Sequence, residues 1–219
     1  MARGRLVVIE GTDGSGKTTQ LKLLFKYLKQ QGEAFEVIGF PRYDKFFGKM
    51  VGMILKGKLG GISLSPYLTS LPFALDRLMA KGQIKRWLEQ GKLVVADRYT
   101  PSSLAHQGAR MEKGKQWRLI NWIGWLEYRL FGLPRADLVI YLSMPAEKAQ
   151  ELMMKRKKKT YIKGRDVFEK NLEHQRKTRE VYLKLAEEER HWKIVNCVDK
   201  HGRIYSPNEV HQKIITAID

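Results

Sequence analysis

A short apolar run, Leu6-Val7-Val8-Ile9, leads into Gly11-Thr12-Asp13-Gly14-Ser15-Gly16-Lys17-Thr18-Thr19. A helical pattern follows, with Leu21, Leu23, Leu24, Tyr27 and Leu28 on its apolar side. The loop fills every fixed position of G-x-x-x-x-G-K-[ST], the P-loop, and it does so between a strand and a helix. That order of elements commits the chain's N-terminal part to an α/β unit built around a phosphate cradle. Glycines let the backbone turn tightly, so that successive N–H groups point inward at an anion. The helix N-terminus adds positive partial charge. Lys17 is placed to reach the β- and γ-phosphates of a nucleoside triphosphate, and Thr18 to hold Mg²⁺. A plain Gly-rich turn is the alternative, and the flanking elements argue against it.

Further apolar runs recur between helical patterns. The strands expected after the first are Phe35-Glu36-Val37-Ile38-Gly39-Phe40, Leu93-Val94-Val95-Ala96-Asp97, Leu138-Val139-Ile140-Tyr141-Leu142 and a fifth at 193–197. Helices are expected at about 17–31, 46–56, 65–90, 115–131, 145–157, 167–189 and 207–218. Runs rich in Val and Ile without polar alternation suit a parallel sheet buried on both faces. The alternation implies a doubly wound five-stranded parallel sheet flanked by helices, with ligands at the carboxyl ends of the strands. The 219 residues fit a single domain with a basic lid at about 155–166.

Composition narrows the class. Apolar residues make up 43% of the chain, yet no apolar run approaches the ~20 residues of a membrane span. Met1-Ala2-Arg3-Gly4-Arg5 runs straight into the first strand, so a cytoplasmic enzyme without a signal peptide is expected. The single cysteine, Cys197, excludes an internal disulfide and reads as a packed strand end. The net charge of +18 fits nucleic acid or polyanionic small substrates. Its basic residues are spread along the chain with no nucleic-acid-reading module, so a dedicated nucleic-acid function is not expected.

Asp97 ends the third apolar strand beside the P-loop, where a carboxylate acts on Mg²⁺ directly or through water; capping the next segment is its alternative role. Arg98 follows at once, Arg42 lies just past the second strand, and Arg77 sits in the long helix. Guanidinium forks grip phosphate oxygens in pairs, so several arginines at this edge suggest that the acceptor is itself a phosphate. Lys155-Arg156-Lys157-Lys158-Lys159, Lys163 and Arg165 form one dense basic cluster. Alone it reads as a solvated loop. In a nucleotide enzyme it reads as a lid that closes over ATP, and the P-loop itself carries no arginine to do that work.

These residues together resemble the thymidylate kinases, P-loop enzymes that phosphorylate dTMP to dTDP, and the resemblance runs over nearly the whole chain. It rests on Ile9 to Thr19, Phe40-Pro41-Arg42, Phe73 with Arg77 four residues on, Asp97-Arg98-Tyr99 and Gly132-Leu133-Pro134-Arg135-Ala136-Asp137-Leu138. The resemblance implies ATP and dTMP as substrates, Mg²⁺ as cofactor and a homodimer. It implies that Asp13 contacts the deoxyribose 3′-hydroxyl and orients an arginine. Arg42 and Arg98 would hold the dTMP phosphate, Phe73 would stack on thymine, and Arg77 would hydrogen-bond its O4. Ser102 and Gln107 would line the thymidine site. A P-loop without arginine is similar to the bacterial type, which brings Arg156 and Arg165 forward with Lys17, Asp97 and Arg98 as the catalytic set. His106 stands where relatives often have an aromatic residue beside the sugar. It would stack there, or relax discrimination against a ribose 2′-hydroxyl.

Three rival activities follow from the same motifs. A deoxynucleoside kinase needs a carboxylate base after the second strand, where this chain has Pro41-Arg42. Another nucleoside monophosphate kinase, such as one for UMP, differs by a single methyl group in the acceptor base. A nucleic-acid-associated ATPase would show hydrolysis stimulated by DNA or RNA. The aromatic helix carrying Trp117, Trp122, Trp125, Tyr128 and Phe131 serves either the core or an interface.

Overall fold

A computed structural model describes residues 3–60, 63–157 and 172–218, without the side chains of residues 156 and 157. Five parallel strands, β1 (Leu6–Glu10), β2 (Phe35–Gly39), β3 (Leu93–Asp97), β4 (Leu138–Ser143) and β5 (Trp192–Asn196), form one sheet in the order β2-β3-β1-β4-β5. The doubly wound sheet expected from the sequence is the one observed. β1 lies at its centre, paired with β3 through Ile9↔Asp97 and with β4 through Glu10↔Tyr141. Both its faces are covered, so every one of its residues is buried. Leu6 and Val8 join a core with α3 (Pro66–Glu89), α4 (Thr100–Gly108), α5 (Gln116–Gly124) and α7 (Leu172–Glu188). Val7 and Ile9 face the opposite core with α1 (Lys17–Gln30) and α8 (Pro207–Ile218). Two-sided burial is why the strand sequences are continuously apolar.

The topology fixes where a ligand goes. The chain leaves β1 toward β2 and leaves β3 in the other direction, over β1, toward β4. The two connections part above the carboxyl ends of β1 and β3, the crevice where open α/β sheets bind ligands. The P-loop follows β1 there, and Arg98 follows β3.

Two elements differ from the sequence expectation. No helix is expected directly after Asp97-Arg98-Tyr99, yet α4 forms there, with proline in its first turn, where a missing N–H costs nothing. Its polar residues mask any apolar stripe because several of them face a cavity. The helix expected over 115–131 changes pitch, with Trp125–Leu130 forming a π-helical stretch after α5. Trp117, Trp122, Tyr128 and Phe131 pack against the core, whereas Trp125 is exposed. The remaining helices are α2 (Phe46–Leu55) and α6 (Ala146–Lys157). Cys197 is buried just past β5, and burial pushes its thiol up to about 12. No helix among the described residues is long and apolar enough to cross a membrane. Most of the lid segment, including Arg165, lies outside the described residues, and Arg156 is described only as part of the α6 backbone.

The π-helical stretch carries Glu127, which is fully buried and holds the equally buried Arg77 of α3. Arg77 Nε and Nη2 donate to the two carboxylate oxygens at 2.7 and 2.6 Å, and Thr100 Oγ1 donates to Oε2 at 2.8 Å. This pair ties α3 to the π stretch and to the start of α4. Removing one member strands a charge without water, which typically costs about 3–5 kcal/mol. Glu127→Leu should therefore lower stability by about that much, whereas Glu127→Leu with Arg77→Met should cost well under the sum of the two single changes. Urea unfolding of the three variants measures this.

Candidate active site

The loop after β1 is shaped by glycines at two points. Gly14 has φ of 83°, and a Cβ there would collide with the Ala149 carbonyl oxygen of α6, so no side chain fits. Gly16, with φ of 94°, caps α1 in the left-handed region. Within the loop Lys17 folds back, and its Nζ donates to the Gly11 carbonyl at 3.0 Å. Burial, joined by repulsion from Arg98, pulls its ammonium down to about 8 against the opposing pull of Asp13.

Arg98 begins where β3 ends. It is the non-glycine residue with positive φ, 67°, among the described residues. Such a conformation is uncommon and survives where surrounding contacts enforce it. Here its N–H donates to the Ile9 carbonyl at 3.1 Å, and Nη2 donates to Asp13 Oδ1 at 2.6 Å. Nη1 reaches Ser102 Oγ at 3.3 Å and His106 Nε2 at 3.4 Å. A guanidinium only donates, so His106 Nε2 is the acceptor and its proton sits on Nδ1. Burial, then Arg98, pushes the imidazole down to about 3, so His106 is neutral. Burial alone would raise the Asp13 carboxyl, but Arg98 and Lys17 outweigh it and hold it at about 2.

Glu10 supports this arrangement from below. It is completely buried at the end of β1, and its carboxylate accepts from the N–H groups of Tyr99 and Ser102 and from the hydroxyls of Ser102 and Tyr182. Neither Glu10 nor Tyr182 stands out in the sequence as a site residue; the available signal is an acid closing an apolar strand. Arg42 has its own acid, Asp76 of α3. Its Nε lies 3.0 Å from Asp76 Oδ1 and its N–H 2.8 Å from Oδ2. That partner is invisible in sequence because it lies 34 positions away.

Two hollows meet at the Asp13–Arg98 pair. One, of about 160 Å³, is walled by Phe73, Ser102, Ser103, His106, Gln107 and His174. His174 stands with its ring centroid 5.9 Å from that of His106, and burial, with Arg110 adding, brings it down to about 4. The other is an open cleft of about 640 Å³ reached by Lys17, Thr18, Arg42 and Asp97. Both contain Asp13 and Arg98. The geometry therefore offers a mostly apolar chamber suited to a base and sugar, and a cation-lined cleft suited to phosphates. In the cleft, Asp97 Oδ1 is buried with no hydrogen-bond partner, and the Thr18 side chain is exposed on the same wall. A free carboxylate oxygen beside a hydroxyl suits a hard divalent cation that takes its other ligands from phosphate and water.

Arg77 stands behind Ser103 and is not among the residues that line the chamber: besides Glu127, its Nη2 donates to Ser103 Oγ at 2.6 Å, and it is 1% exposed. A buried guanidinium takes a buried counter-charge when one is within reach, and Glu127 supplies it.

A family model described as thymidylate kinase matches residues 9–214. A probable thymidylate kinase of Pyrococcus abyssi is 37% identical over 99% of this chain and 96% of its own. A thymidylate kinase of Mycobacterium tuberculosis is 30% identical over 91% of this chain and 94% of its own. Among solved structures, thymidylate kinase of Candida albicans superposes with a TM-score of 0.75 at 27% identity, covering 100% of this chain and 92% of that one.

The depressed Lys17 ammonium has a measurable consequence. A phosphate anion beside it restores the ordinary lysine value, so binding of ADP above pH 8 should take up a proton. With the free group at about 8, the uptake at pH 8.5 should exceed roughly half a proton per site. Calorimetry in buffers of different ionisation enthalpy reads it directly; no buffer dependence at that pH would contradict the assignment.

Proposed function

This chain belongs to the thymidylate kinase family of phosphotransferases, and from that premise we propose that it transfers the γ-phosphoryl group of ATP to dTMP, giving ADP and dTDP. The observation that carries the reading is the shared Asp13–Arg98 pair between a cation-lined cleft and a chamber with an aromatic wall. ATP enters the cleft with its phosphates on the loop from Gly11 to Thr19. The dTMP base lies against Phe73 in the chamber, with Ser102, His106 and Gln107 around it. Its phosphate meets Arg98 and Arg42.

The chemistry asks little covalent work of the protein. The acceptor oxygen is already anionic, so no side chain need remove a proton. In-line transfer then depends on holding two anions together and stabilising charge on the migrating group. Lys17 and Arg98 supply that charge from opposite sides. Asp13 keeps Arg98 in place and is positioned to meet the sugar. Asp76 does the same for Arg42. Thr18 and Asp97 would hold Mg²⁺, directly or through water, which when bound neutralises charge on the β- and γ-phosphates. Arg156 and Arg165 belong to the proposed catalytic set on the family resemblance alone. A cytoplasmic homodimer, as a single domain with a basic lid, completes the reading. Exposed Trp125 and Leu130, with Leu68 and Met79 of neighbouring α3, support a face for the second copy.

A coupled assay with ATP and a panel of deoxynucleoside monophosphates, ribonucleoside monophosphates and nucleosides tests the substrate; dTMP should be the best acceptor. Arg98→Ala should lower kcat by roughly 10³-fold or more while leaving ADP affinity within about threefold. An equal loss of ADP affinity would remove Arg98 from the acceptor side.

A further inference from the structure

Gln107 is nearly closed off in the chamber wall, and its amide has no choice of which end faces inward. Its Oε1 accepts a 2.6 Å hydrogen bond from Nη1 of Arg110, just past the end of α4. A guanidinium carries five donors and no acceptor, so only the oxygen end of the amide can meet it. Arg110 is itself anchored at the start of α3, where Nη1 also donates to Thr69 Oγ1 at 3.0 Å and Nη2 donates to the Leu64 carbonyl. The remaining end of the amide is Nε2, which carries two hydrogens, and no described hydrogen bond engages it. Ser103 stands one helical turn earlier in the same wall, and its oxygen is likewise occupied by an arginine, Arg77. The wall thus offers the chamber donors, with acceptor positions filled from behind.

We infer that Arg110 is a positioning residue for base selection: by holding Gln107 Oε1 it turns Gln107 Nε2 into the chamber, where it donates to a carbonyl oxygen of the base and turns away an exocyclic amine. The inference rests on the reading that the acceptor's base occupies this chamber. Thymine and uracil carry two ring carbonyls. Cytosine carries an amine in place of one, and a donor facing that amine leaves two polar groups unpaired out of reach of water. A site that turns away a wrong polar group in this way discriminates far more strongly than one that senses a methyl.

The ratio of kcat/KM for dCMP to that for dTMP is the readout, with Tm and ADP affinity as checks on folding. In Gln107→Glu one oxygen stays on Arg110 and the other turns an acceptor into the chamber, so the ratio should rise roughly 10²-fold. Arg110→Met frees the amide to rotate and should raise the ratio roughly tenfold. That change should fall mainly on KM, with kcat at saturating dTMP changing less than about threefold. Arg110→Lys keeps a donor on Oε1 and should hold the ratio near that of the unaltered chain. An unchanged ratio in both Gln107→Glu and Arg110→Met overturns the inference, as does an Arg110→Met loss that is equal for the two substrates. If Arg110→Met fails to fold, Gln107→Glu decides alone. Failure of the unaltered chain to phosphorylate dTMP overturns the functional reading and this inference together, whereas good dTMP turnover with an unmoved ratio overturns this inference only.

Discussion

A carboxylate sealed from water must be met by donors of the protein itself, and the Glu10 carboxylate is where three parts of this site are joined. It ends the central strand. Its acceptors are filled by the N–H groups that open α4 and by hydroxyls of Ser102 and Tyr182, the second of these on α7. The loop after β1, the turn after β3 and the helix that follows the basic segment therefore share one anchor. The tie to β3 is repeated by the main-chain bond from Arg98 to Ile9. Each carboxylate oxygen is met by two donors, so losing one of them weakens the anchor while the other still holds that oxygen.

The arginines of the site follow one rule. Arg42 has Asp76, Arg77 has Glu127 and Arg98 has Asp13. Each acid fixes a fork that would otherwise sample many rotamers, so an arriving anion finds Arg42 and Arg98 already oriented, with Arg77 fixed behind them. Preorganisation of this kind is how fixed charge outperforms mobile solvent around a migrating phosphoryl group. The excess of positive charge over the whole chain is a separate matter from the few cations that are placed.

The sheet was legible because two-sided burial imposes continuous apolar runs on β1, β3 and β4, and those runs are local in sequence. The P-loop was legible for the same reason: its geometry needs glycines at fixed spacing. What stayed hidden was carried by partners far apart in the chain. Nothing near Arg77 announces Glu127, fifty positions on, so Arg77 was expected at the base rather than behind Ser103. Helix α4 was not among the expected helices because its polar residues serve a cavity, and a stripe of that kind carries no periodic apolar signal. Arg110 went unremarked because its meaning comes from which end of an amide it touches, a fact of geometry alone.

Lys17 resting on the Gly11 carbonyl has a consequence for how the protein waits between substrates. The carbonyl oxygen is a stand-in: it holds the ammonium where a phosphate oxygen would, with a partial charge that a full anion readily displaces. The lysine's rotamer freedom is thus surrendered when the chain folds, not when nucleotide arrives. Occupation becomes an exchange of partners at a fixed address.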